Sequence, residues 1–304
     1  MKLLALGDSI VWGQGHREAD KFVTTVAATL GAEARSFAHS GAVIERTERD
    51  GAPADWGEVP EAAPSILSQV DAARQQVAAD QIDVVLLDGG INDVSVFSLV
   101  VAAPWDPGGT MLRRKIDDVF GVAFPSLLRQ VVDGFPKAVV VVAPYYPIVS
   151  EQTHPRQLVA LMKYLPAPMD FTRRLDHVVE HLGDAALLAA IEVPRRAMID
   201  QCAFFASRSR DLMSEAVAGL PVPGRAVLAD LPWGAEHAFA APATWVWSGS
   251  DDPLHGERIV RYTAHVLQNP FDWPLYTPIA SLCHPNLLGE AAYANAILAA
   301  LGRP

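Results

Sequence analysis

The sequence is short of cysteine, of basic residues and of long apolar runs, and each shortage closes off a class of protein. Two cysteines in 304 residues, Cys202 and Cys283, cannot build a disulfide framework. They read as buried thiols or as a single bridge, and their spacing fits no metal site. Lysine and arginine total 24 against 35 aspartates and glutamates, a formal net charge of −11. That sign opposes phosphate backbones and anionic headgroups, so no nucleic-acid partner is expected. No apolar stretch approaches the roughly 18 residues of a membrane span, because prolines and charges interrupt every candidate. Met1-Lys2 precedes only four apolar residues, too few for the apolar core of a signal peptide. A cytoplasmic chain is the expectation, or a secreted one whose leader has been replaced by Met1. Charged residues amount to only 19% against 50% hydrophobic, so disorder is not expected either and a buried sheet is.

Five short runs rich in Val, Leu and Ala, at residues 2–7, 34–38, 83–88, 138–143 and 225–230, read as strands. They are almost continuously apolar, as strands covered on both faces should be. Helical stretches at 21–30, 64–79, 111–134 and 193–218 lie between them. Strand and helix alternate, which argues a doubly wound parallel sheet in one domain over residues 1–304. The fourth strand is followed by a long excursion, read as an insertion at about 145–190 whose tail, 170–190, looks helical. It either walls a pocket at the strand ends or extends the surface. A later stretch, 232–247, carries Trp233, Phe239, Trp245 and Trp247 without periodicity. Those aromatics either line an acyl pocket or pack a satellite core.

The strand ends carry the chemistry. The first ends in Gly7-Asp8-Ser9-Ile10, which puts a serine where open parallel sheets bind their ligands. A serine hydroxyl is a weak nucleophile that needs a base within hydrogen-bond reach and donors aimed at the oxyanion formed on attack. The second strand leads into His39-Ser40-Gly41, where glycine permits a tight turn. The third ends in Gly89-Gly90-Ile91-Asn92-Asp93, which supplies a side-chain amide donor. Near the C-terminus, His284-Pro285-Asn286 opens the last helix, with Pro285 suited to its first position and His284 at or just before its cap. Taken singly, each has a plainer role: Ser9, Asn92 or Asp93 could cap a helix and Gly41 could serve a turn.

Taken together and in this order, Gly7-Asp8-Ser9-Ile10, Gly41, Gly90-Ile91-Asn92-Asp93 and His284-Pro285-Asn286 with Gly289 resemble the SGNH hydrolase superfamily of GDSL-type esterases and lipases. The resemblance implies Ser9 as nucleophile and His284 as base and then acid. It implies an oxyanion hole of Ser9 N–H, Gly41 N–H and the Asn92 amide. It also implies a flavodoxin-like three-layer α/β/α sandwich, a five-stranded parallel sheet of order 2-1-3-4-5, and chemistry without metal or cofactor.

One position departs from that pattern. Three residues before the histidine, where the family usually has Asp, stands Ser281, and a neutral hydroxyl cannot stabilise imidazolium as a carboxylate does. Three arrangements remain open: a backbone carbonyl orients His284, a remote carboxylate such as Asp252 reaches it, or the base is another histidine. Asp252-Pro253-Leu254-His255 repeats the Asp-x-x-His spacing, although Asp252-Pro253 also suits the N-terminus of the helix expected over 258–267. His177-Val178-Val179-Glu180-His181 has the order of an inverted zinc-peptidase motif, with Glu257 a nominal third ligand, or is simply a solvated helix face. Gly13-Gln14-Gly15 lacks the third glycine of a dinucleotide fingerprint, and neither a P-loop nor a Gly-x-Ser-x-Gly elbow occurs.

The resulting expectation is a serine hydrolase cleaving carboxylic esters through an acyl-enzyme. The aromatics Trp12, Tyr145 and Tyr146 near the strand ends suggest an apolar acyl group, Trp12 alternatively packing the first helix. The alternatives are transfer of the acyl group to an alcohol, thioester cleavage, or a non-catalytic binding module on the same fold.

Overall fold

The computed structural model describes residues 1–51, 56–100, 109–163, 183–268 and 278–303. The apolar runs form its sheet: β1 (Lys2–Leu6), β2 (Glu33–Ser36), β3 (Val84–Leu87), β4 (Val139–Val142) and β5 (Ala226–Leu228). All four pairings are parallel and the order is β2-β1-β3-β4-β5. Leu3, Leu4, Ala5 and Leu6 on β1 and Val84 to Leu87 on β3 are all buried, since both faces of these central strands are covered. β2 departs from the expected apolar pattern. It is exposed along its whole length, Glu-Ala-Arg-Ser, because it is the sheet edge.

After β1 the chain goes to one edge, and after β2 it returns past β1 to β3, so the winding reverses between β1 and β3. The crevice at the carboxyl ends of those two strands is where a doubly wound sheet binds ligands. Two short helices start there: α1 (Ser9–Trp12) after β1 and α4 (Ile91–Val94) after β3. The sheet is flanked by α2 (Phe22–Leu30), which packs on the C-terminal helix, and by α3 (Ile66–Gln76), which packs on α7 (Phe124–Gly134).

Between α4 and α7 run α5 (Val96–Val100) and α6 (Thr110–Asp118). The single helix expected over 111–134 is interrupted by a π-helical segment, Val119–Ala123, and Pro125 then falls in the first turn of α7, where proline is tolerated. After β4 come α8 (Pro155–Lys163) and the 35-residue α9 (Asp184–Ala218), which starts earlier than the expected 193 and carries Pro194 inside it. The expected helical tail is thus the start of α9 over 184–190, and its earlier part lies outside the described residues. α10 (His255–Gln268) and α11 (Leu287–Ala300) complete the chain. The cap of α11 is Asn286, two residues after His284, because its Oδ1 accepts from Leu288 N at 2.9 Å and Gly289 N at 3.2 Å. His284 therefore belongs to the loop before the helix. Among the described residues no helix is long and apolar enough to cross a membrane.

Candidate active site

Ser9 is held by the turn that precedes it. Gly7 has φ +151, and a Cβ there would lie 1.7 Å from Asp88 Oδ1, so only glycine lets the Asp88 carboxyl close over this strand end. Asp88 accepts from Asp8 N at 2.8 Å and Val11 N at 3.3 Å, and buried Gln69 pairs with both backbone groups of Gly7, at 2.8 and 2.9 Å. Asp8 caps α1 by accepting from Ile10 N at 3.0 Å. Burial raises the pKa of both carboxyls, and the Asp8 charge pushes Asp88 up further. Tyr145 completes the cluster. Its hydroxyl donates to Asp8 Oδ2 at 2.6 Å and accepts from Ile91 N at 3.4 Å, linking the residue before Ser9 to the residue before Asn92.

The loop that carries His284 is held by main-chain bonds. Trp247 N donates to His284 O at 2.8 Å, and Cys283 N donates to Trp247 O at 3.1 Å. The Tyr146 hydroxyl donates to Cys283 O at 2.8 Å. In this setting His284 Nδ1 faces Leu282 O at 3.2 Å and Nε2 lies 2.8 Å from Ser9 Oγ. With the ring proton on Nδ1 donated to that carbonyl, Nε2 is free to accept from the serine hydroxyl. Enclosure by protein atoms pushes His284 down to about 4, outweighing the Leu282 and Ser281 carbonyls, which favour imidazolium. A base must be neutral, and a depressed value keeps it neutral further into acid. The acid limb of kcat/KM is therefore expected near pH 4 instead of about 6.5, the ordinary histidine value. A pH profile with that limb at 6 or above would contradict this environment for His284.

Gly41 and Asn92 line the same pocket as the histidine. Gly41 has φ +81, and a Cβ there would lie 2.4 Å from Glu61 N, so the chain passes too close to residue 61 for any side chain. Asn92 Nδ2 donates to Ala42 O at 3.0 Å, and Ile44 N donates to the Asp93 carboxyl at 3.1 and 3.2 Å. Burial pushes Asp93 up to about 6. These bonds fasten α4 to the Gly41 loop.

Ser9, Gly41, Asn92 and His284 line one pocket of about 220 Å³. Its remaining walls are largely apolar, with Val96, Val100, Ile148, Leu161 and Ile279 prominent. Tyr145 and Tyr146 line it as expected. Trp12 does not: its Nε1 donates to Glu58 Oε1 at 2.9 Å and its ring lies under the Lys21 ammonium, so it packs behind α1. The aromatics of 232–247 also stay behind the wall. Trp233 stacks on Tyr146 with centroids 4.0 Å apart and meets Trp245 edge-on, while Trp247 supports the His284 loop.

Of the other candidates, His255 Nδ1 faces Pro278 O at 2.9 Å and does not line the pocket. Asp252 accepts from Leu254 N at 3.0 Å, from Ser281 Oγ at 2.6 Å and from Arg258, and is turned to these groups at the start of α10. His177, Glu180 and His181 lie outside the described residues. Among the described residues no group of three or more metal-ligating side chains is placed to hold an ion. Cys202 and Cys283 are free, buried thiols. The sequence reading missed Tyr145 as a link between two loops, together with Asp88, Glu58 and Arg258. Of these only Asp88, a carboxylate directly after the apolar run Val84–Leu87, carried a signal in the sequence.

The fold and the Ser–His pair at its switch point define a class, the three-layer α/β serine hydrolases. The family model of the GDSL-like lipases and acylhydrolases matches residues 3–203, and the chain belongs to that family of carboxylic ester hydrolases. Phospholipase A1 from Streptomyces albidoflavus NA297 has a similar structure, with 15% identity, 98% of each chain covered and a TM-score of 0.55. The extracellular lipase of Streptomyces rimosus is similar at 15% identity, 99% of each chain and a TM-score of 0.52. At that identity the likeness is one of fold. No curated protein sequence matches the chain.

Proposed function

We propose that Ser9 and His284 perform the ester hydrolysis of this family as a dyad, with an apolar acyl group seated in the pocket beside them. The observation that carries the reading is the 2.8 Å contact between Ser9 Oγ and His284 Nε2 at the wall of that pocket. His284 Nε2 takes the Ser9 proton as Oγ attacks the ester carbonyl. Nδ1–H, donated to Leu282 O, supports the imidazolium that forms, in the position where the family pattern has a carboxylate. Ser9 N–H, Gly41 N–H and the Asn92 amide receive the developing oxyanion. Imidazolium then protonates the departing alcohol. A water activated by the neutral ring attacks the acyl-enzyme and releases the acid.

The apolar walls favour a hydrocarbon acyl chain over an acetyl group. Burying a methylene contributes about 0.8 kcal/mol, so kcat/KM for p-nitrophenyl esters is expected to rise about fourfold per added CH2 until the pocket is filled. A series from acetate to long-chain esters measures this, and an acetyl ester hydrolysed faster than butyryl would overturn the acyl assignment. A site that takes the acyl chain but lacks turnover would instead be a binding module, and a fluorophosphonate that fails to label Ser9 would reveal it.

A further inference from the structure

Ser281 stands where the family pattern places the acid, and its hydroxyl is committed elsewhere. Fully buried, it donates to Asp252 Oδ2 at 2.6 Å and accepts from Arg258 Nη2 at 3.0 Å. Arg258 is fully buried too. It pairs with Asp252 through one arm of its fork and with Glu58 Oε2 at 2.8 Å through the other. Glu58 in turn accepts from Trp12 Nε1 at 2.9 Å, Gln14 Nε2 at 2.9 Å and Gly15 N at 3.1 Å, all at the far end of the helix that Ser9 begins. A buried guanidinium and two buried carboxylates are tolerated only when each is paired and hydrogen-bonded, as here. The cluster thus joins the chain just after the serine helix to the chain just before the histidine.

The turn it reaches needs outside support. His284 N donates to Ser281 O at 2.8 Å, which closes a β-turn over 281–284. The third residue of that turn is Cys283 with φ +65, a left-handed conformation that favours glycine and costs a side-chain-bearing residue energy. The carbonyl facing His284 Nδ1 belongs to Leu282, inside the same turn.

We infer that Arg258 and Asp252 are positioning residues for His284, gripping Ser281 so that the strained turn holds the Leu282 carbonyl against the imidazole while Glu58 ties the same frame to the serine helix. The carboxylate absent from the ring's edge is thereby replaced by an ion cluster one peptide further out, acting on geometry. This inference rests on His284 as the base.

Two variants test it. Ser281→Ala removes one hydroxyl, and Arg258→Lys keeps the charge but loses the fork that reaches both carboxylates. Each is expected to lower kcat by about 10- to 100-fold, the cost of a small misplacement of a catalytic group, with KM within about twofold of wild type. Fluorophosphonate labelling of Ser9 should slow by a similar factor. Because both act through one turn, the double variant is expected to be no slower than the worse single one. If Arg258→Lys does not fold, Ser281→Ala decides alone. A Ser281→Ala enzyme with wild-type kcat, or losses that multiply in the double variant, would overturn the inference. A Ser9→Ala chain that still hydrolyses ester would instead overturn the site itself, so the two failures are distinct.

Discussion

Ser9→Ala is expected to lower kcat for ester hydrolysis by on the order of 10⁴- to 10⁶-fold. In the proposed mechanism the hydroxyl is both the attacking atom and the partner of His284 Nε2, so its loss would remove the covalent route altogether. What survives should be the rate that donors and binding alone support. His284→Ala should cost about as much, and the double variant little more, because members of such a unit do not contribute additively. Steady-state kinetics on the three variants with one p-nitrophenyl ester measures this. Losses that multiply would mean that serine and histidine act in separate steps.

Asn92→Ala should cost about 10²- to 10³-fold in kcat with little change in KM, because an oxyanion donor acts mainly when charge develops on the substrate oxygen. Its amide already spends one N–H on Ala42 O, which aims the group and leaves a second N–H to donate. The substitution also cuts one of the bonds that fasten α4 to the Gly41 loop, although Asp93 retains its own grip on Ile44. Asn92→Asp loses both roles as well, since a carboxylate cannot donate to Ala42 O either. It keeps the size but replaces donors by acceptors, so it should be at least as slow as alanine. Hydrolysis at the wild-type rate in either variant would remove Asn92 from the oxyanion hole.

Much of this was legible in the residues because parallel α/β sheets write their function at strand ends. The apolar runs marked the strands, and Gly7-Asp8-Ser9, Gly41 and Asn92 sit at the carboxyl edge of the sheet where such runs stop. His284 was legible through its Pro-Asn continuation, but its place relative to the helix was not. The side chain of Asn286 captures the first free N–H groups of α11, and capping competition of that kind depends on rotamers that no spacing records. The ion cluster was illegible for a different reason. Arg258 and Glu58 are 200 residues apart. Their pairing is a product of the winding order, and a buried arginine looks in sequence like any surface one. The aromatic segment took the second of its two expected roles, packing behind the wall: Trp233 stacks on the back of Tyr146 and Trp245 meets Trp233 edge-on.

Tyr145 also bears on how the pocket can be remodelled. Its ring is part of the wall, while its hydroxyl joins the Ser9 turn to the Asn92 helix. Enlarging the cavity on that side is expected to loosen the Ser9 turn and the Asn92 helix at once, and with them the proposed nucleophile and oxyanion donor. Val100, Leu161 and Ile279 also line the pocket and have apolar side chains that make no such bond, so in the proposed mechanism changes there are expected to alter substrate preference with less effect on turnover. The Tyr145 phenol thus ties the shape of the pocket wall to the geometry of the two loops it joins.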